Sequence, residues 1–139
     1  MDTTYEERSV VVQLMSLVLV LGGYFVIAGL MMARGELPLI AYLPLFVGAV
    51  VLMVIVLAVG HIAALYFGLP EKRDERDRLI HWRADSNAQH VLAVGALATI
   101  GGMLLKVDPV WIAHLLLFSL MLHEIVRLSM RLFYYRRGV

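Results

Sequence analysis

Val10–Met32 reads VVVQLMSLVLVLGGYFVIAGLMM, and its interpretation decides the fold. Only Gln13 and Ser16 interrupt an otherwise apolar run with small residues in it. It exceeds the roughly 20 residues with which a helix crosses a bilayer core. It is too long for the apolar region of a secretory signal. The preceding residues also lack a basic character, with Asp2, Glu6 and Glu7 set against Arg8. The stretch therefore reads as a retained transmembrane helix, and the rest of the chain follows the same grammar.

Further apolar runs follow at Leu39–Leu69, from Ala88 to Leu105, and from Val110 onward. The second is longer than one straight span needs, so Leu39–Leu43 is taken as an interfacial lead-in, with the span starting near Pro44. Spans are expected at about 10–32, 44–67, 88–105 and 110–130. The third and fourth apolar runs, Ala88–Leu105 and Val110–Val126, are close to the lower length limit and are completed by flanking residues whose charged heads reach outward. Between them, Lys106-Val107-Asp108-Pro109 has the form of a tight turn with Asp108 as N-cap and Pro109 in the first helical turn. Arg34-Gly35-Glu36-Leu37-Pro38 is a second short turn, and connections this short join antiparallel neighbours. The expected fold is an all-α, polytopic membrane four-helix bundle of two antiparallel hairpins, forming one integral membrane domain over residues 1–139. Tyr42, Tyr66, Trp111, Tyr134 and Tyr135 fall near span ends, where interfacial aromatics sit.

Composition agrees. Of 139 residues, 61% are hydrophobic, and the mean hydropathy is +0.83, above the range of soluble domains. No cysteine is present, which excludes disulfides, thiolate metal sites and cysteine nucleophiles. A net charge of +1 gives no reason to expect a nucleic-acid partner. Phosphate loops, dinucleotide fingerprints and G-x-S-x-G elbows are absent from the sequence, and the chain is read as non-enzymatic. Ten of the 12 lysines and arginines fall in the N-terminal tail, the middle connection and the C-terminal tail; only Arg34 and Lys106 lie in the short turns. By the positive-inside rule the first group is cytoplasmic, with both termini on that side.

The middle connection, 70–87, is the most distinctive stretch. Glu71-Lys72-Arg73-Asp74-Glu75-Arg76-Asp77-Arg78-Leu79-Ile80-His81-Trp82-Arg83-Ala84-Asp85 alternates in charge and has no helix breaker after Pro70. Asp74 and Glu75 stand four and three residues before Arg78, at ion-pairing spacing on a helix. The segment is expected to be a cytoplasmic helix that runs on into the third span. Asp74-Glu75-Arg76-Asp77, then Ile80 and Ala84, followed at once by an apolar helix, resembles a signature of small prokaryotic membrane proteins of unknown function. In that group a D-E-R-(D/E) motif leads into a transmembrane helix. The resemblance implies a multi-pass protein of the prokaryotic cytoplasmic (inner) membrane and brings no catalytic residues. A solvated, topology-fixing helix accounts for the charge run. The functional reading is a docking surface, Asp74, Glu75, Arg76, Asp77 and Arg78, for a second copy of the chain or for a cytoplasmic or membrane protein partner. Its mixed charge argues against a purely polybasic lipid-binding site.

Ionisable residues inside spans raise a functional question by default. His61, His90 and His123 fall at similar depth on three helices, with Glu124 beside the last, whereas His114 belongs to the opposite end of the fourth helix. As ligands, His61, His90, His123 and Glu124 would suit a divalent metal, and two of the histidines would suit haem b. The plainer reading is packing, with neutral imidazoles bonded to helix carbonyls. Glu124 has Arg127 and Arg131 three and seven residues on, so an ion-paired ladder along one face explains it; a small proton-coupled transporter using Glu124 and His123 is the third alternative. The preferred reading is a membrane protein that acts by assembly through its charged helix.

Overall fold

The computed structural model describes residues 5–35, 38–66 and 75–137, with the side chains of residues 5, 6, 61 and 63–66 left aside. The described residues contain no strand. They form α1 (Tyr5–Ala33), a 3-10 turn (Leu39–Tyr42), α2 (Leu43–Tyr66), α3 (Glu75–Leu104) and α4 (Pro109–Arg137). The all-α expectation holds. The straight part of the second apolar run begins at Leu43, beside Pro44, after the expected lead-in.

Among the described residues, three helices are long and apolar enough to cross a membrane, over Glu7–Ala33, Leu39–Gly60 and Pro109–Arg137. The expected span at 88–105 is not among them. Gln89 and His90 occupy the first turn of the apolar half of α3, and the helix stops at Leu104. What remains is shorter than the roughly 20 residues that a bilayer core asks for. The charged start and the apolar half do form one continuous helix from Glu75, as the absence of breakers predicts.

Helix ends are set by local chemistry. The Asp108 carboxylate accepts the Val110 N–H at 2.7 Å, the expected N-cap of α4. Just before it, α3 closes with a Schellman pattern: Val107 N–H donates to the Gly102 carbonyl and Lys106 N–H to that of Met103. Lys106 occupies the left-handed position of this turn at φ 57°, where glycine is the usual residue. Gly35 fills the corresponding need after α1, with φ 143°.

The helices pack in the order α2, α1, α4, α3. Each contact runs between opposite chain directions. A Cβ on Gly60 would strike Val12, while Tyr24 of the same α1 meets Phe46 near the start of α2. Likewise Gly95 lies against Ser119 and Gly102 against Ile112. One core lies between α1, the 3-10 turn and α2: Val20, Tyr24, Ala28, Tyr42 and Ala49. Another lies where α3 meets α4, where Ile80, Ala84 and Ala88 are fully buried and Leu128 nearly so. Small residues at 84, 88 and 95 let the α3 backbone come close to α4, which suits association driven by close packing rather than by an aqueous hydrophobic effect. Only 6% of the apolar window of α2 is buried, the smallest share among the three membrane-length helices.

Candidate functional site

Polar side chains gather at two ends of the molecule. The first end brings together the starts of α1 and α3 and the end of α4. Arg131 of α4 is buried, yet it carries a charge, and its guanidinium donates to Asp85 of α3 at 2.8 Å. Removing a buried guanidinium from water is costly unless it is paired, and Asp85, half exposed, supplies the pairing from the solvent side. Two neutral bonds flank it. Asn87 donates to the Tyr134 hydroxyl, and Tyr135 pairs with His81 Nε2, each at 3.3 Å. At the rim, Arg136 meets Glu7 at 2.9 Å and joins α4 to α1.

Glu124 pairs with Arg127, the i,i+3 contact expected from spacing. The ladder does not continue to Arg131, which turns to Asp85 on the neighbouring helix instead. The Nε atoms of Arg127 and Arg131 are buried without a hydrogen-bond partner among the described residues. Tyr134 and Tyr135 thus hydrogen-bond to α3 side chains.

The histidines named as candidate ligands separate as follows. The His61 side chain lies outside the described residues. His90 is exposed on α3. His123 is half-buried, and its Nδ1 donates to the Ala88 carbonyl at 3.0 Å, stitching α4 to α3. Its Nε2 stands 3.8 Å from Glu124. Among the described residues no three His, Asp or Glu side chains gather as a metal-holding group. Of the candidate docking residues, Asp74 lies outside the described residues; Glu75, Arg76, Asp77 and Arg78 form the first turn of α3, with Asp77 the least exposed. Trp82, one turn further, has 67% of its surface exposed.

The second end was not singled out by the sequence reading. His114, one turn into α4, is buried. Its Nδ1 donates to the Val110 carbonyl at 2.7 Å, since a carbonyl only accepts. That leaves Nε2 of the neutral ring as acceptor for the Tyr24 hydroxyl of α1, at 3.1 Å. Tyr24 stacks on the imidazole with centroids 5.8 Å apart and planes 19° from parallel, and Tyr42 meets it edge-on at 4.9 Å. Tyr42 is thus 3% exposed, a core residue and not the lipid-facing aromatic expected from its position. Trp111, at 62% exposure, keeps the lipid-facing place.

Two grooves flank His114. The larger, of about 680 Å3, lies between the 3-10 turn, α2 and α4, and Tyr24, Tyr42 and Phe46 help to line it. The smaller, about 590 Å3, lies between α1 and α4 beside Phe25 and Trp111. Both are apolar apart from the histidine, tyrosine and tryptophan edges. No family model, curated protein or solved structure matches the chain.

Proposed function

We propose that this protein is a four-span membrane component of two helical hairpins that works by assembling with a second copy of itself through α3. In this reading the end rich in lysine and arginine is cytoplasmic, in a prokaryotic inner membrane, and the charged start of α3 guides the pairing. The protein does no chemistry of its own.

The observation that supports it best is the outer side of α3. Among the described residues, α4 is the main helix packed against it. The outer side of α3 exposes Leu79, Trp82, Gln89, His90, Val94 and Leu97. Gln89 and His90 stand at the start of its apolar half, where leaving polar groups against hydrocarbon would cost several kcal/mol (about 2 or more per unpaired group). An isologous contact brings the same side chains of two copies face to face, so that amide and imidazole can satisfy each other. It would also complete the one helix that is too polar to stand in lipid alone. The mixed charge of Glu75, Arg76, Asp77 and Arg78 suits self-pairing in that no single sign dominates to repel a second copy.

The cysteine-free chain offers a clean background for oxidative cross-linking in membranes. Gln89→Cys is expected to give a covalent dimer, and Val54→Cys, on exposed α2, is expected to give none. Reversing the charges of Arg76 and Arg78 together should abolish the Gln89→Cys product. A monomer throughout, or equal cross-linking at both positions, would overturn the reading; a second protein captured at Gln89→Cys would replace the copy by a partner.

A further inference from the structure

The groove beside His114 has features that bare lipid packing does not require. From its composition and hydrogen bonding we infer that it is a binding site for a membrane-soluble quinone or quinol, a neutral flat ring with a hydrocarbon tail. This inference is independent of the assembly reading, which concerns the other end of the molecule and another helix.

The size suits such a ligand. At about 680 Å3 the groove falls in the range of small-molecule sites, which are mostly apolar with a few convergent polar groups. Among the described residues its walls carry no lysine, arginine, aspartate or glutamate. A phospholipid headgroup or a fatty-acid carboxylate would find no countercharge among them, which favours a neutral head. Tyr24, Tyr42, Phe46 and His114 line one part with ring faces and edges, which favours a flat ring over a saturated chain. Leu117 and Leu120 line the rest, as a hydrocarbon tail needs.

The polar groups set the head's chemistry. His114 is committed on both nitrogens, to Val110 and to Tyr24. Tyr24 spends its proton on His114, so its oxygen retains only acceptor capacity. The Tyr42 hydroxyl makes no hydrogen bond among the described residues, and Tyr42 is one of the rings that line the groove. One donor, Tyr42, and one acceptor, Tyr24, thus border the same apolar groove. A quinone carbonyl takes the first, and a quinol hydroxyl uses both. The buried imidazole acts here as a positioning residue: it holds the Tyr24 hydroxyl in one orientation and so fixes which partner that oxygen offers.

The test uses the full chain in nanodiscs with Trp82→Phe as background, so that Trp111, beside His114 in the neighbouring groove, is the only tryptophan reporter. The probe is a short-chain ubiquinone with one isoprene unit, in oxidised and reduced form. Saturable quenching is expected with both. Tyr42→Phe keeps the ring and removes the hydroxyl; it should weaken the quinone about fivefold, the worth of one hydrogen bond. Leu120→Phe, which narrows the groove from an exposed position, should weaken both forms at least about tenfold. Unsaturable quenching, or quenching unchanged in both variants, means partition into lipid and overturns the site. Equal competition by a plain diacylglycerol means an acyl-chain groove only, which also overturns it.

Discussion

The two ends of this molecule are closed by different physics. At the lysine- and arginine-rich end, helices from distant parts of the chain are tied by ion pairs: Arg131 to Asp85 and Arg136 to Glu7. At the other end, three elements converge on one neutral pair, Tyr24 and His114, inside a cluster of rings. The first arrangement tolerates water and the second excludes it. A buried charge is costly, so Arg131 is paired with the half-exposed Asp85, while the end with neutral polar groups buries them without a charged partner. The consequence is a division of labour: α3 is held chiefly by the charged end and by small-residue packing, whereas α1, α2 and α4 are held together by the rings.

Three perturbations set the ends against each other. Asp85→Ala leaves Arg131 buried with no carboxylate, and it should cost about 2–4 kcal/mol, at the lower side because Asp85 is half exposed. Thermal unfolding in detergent, with Asp85→Ala/Arg131→Met as the second variant, measures it; the double variant should recover most of the loss, because it removes the stranded charge. Tyr24→Phe comes next. It deletes the hydroxyl bonded to His114 and should cost about 1 kcal/mol, with no dependence on salt. A loss that grows or shrinks with ionic strength would mean that charge contributes to this contact. The smallest effect belongs to Arg136→Gln, the exposed member of the rim pair with Glu7. It should cost about 0.5 kcal/mol in dilute buffer and nothing measurable at 1 M salt, where the screening length is about 3 Å.

Much of the architecture is legible in the sequence because it follows from local rules. Long apolar runs, Asp108-Pro109 as a helix start, and the unbroken run after Glu75 each depend on residues within a turn or two. Glu124 with Arg127 belongs to the same class, being a contact within one helix. Arg131 does not. Spacing alone put it on Glu124's face, but helix contact gave it a better acceptor in Asp85, forty-six positions away. The third expected span is the weakest of the four. An apolar run bounded by Gln89 and Leu105 looks like a span in isolation, yet its length and polarity fall short of the other three helices. Tyr24, Tyr42 and His114 could have been paired only by matching depths along three antiparallel helices, and helix rotation, which decides whether side chains face each other, is not written in any one segment.

By itself, then, the amino-acid sequence determined that this chain is helical, that three of its helices are long and apolar enough to cross a membrane, and where its charge concentrates. Backbone hydrogen bonding within a helix and the transfer of side chains into hydrocarbon are both local quantities, summed residue by residue. Only the tertiary structure decided which polar groups meet. It placed α1 between α2 and α4, put His114 under Tyr24, and turned Arg131 toward Asp85. Those choices come from how small residues such as Ala84, Ala88 and Gly95 let two helix backbones approach, and from the cost of leaving a buried donor unpaired. Both depend on a neighbouring surface that no single segment contains.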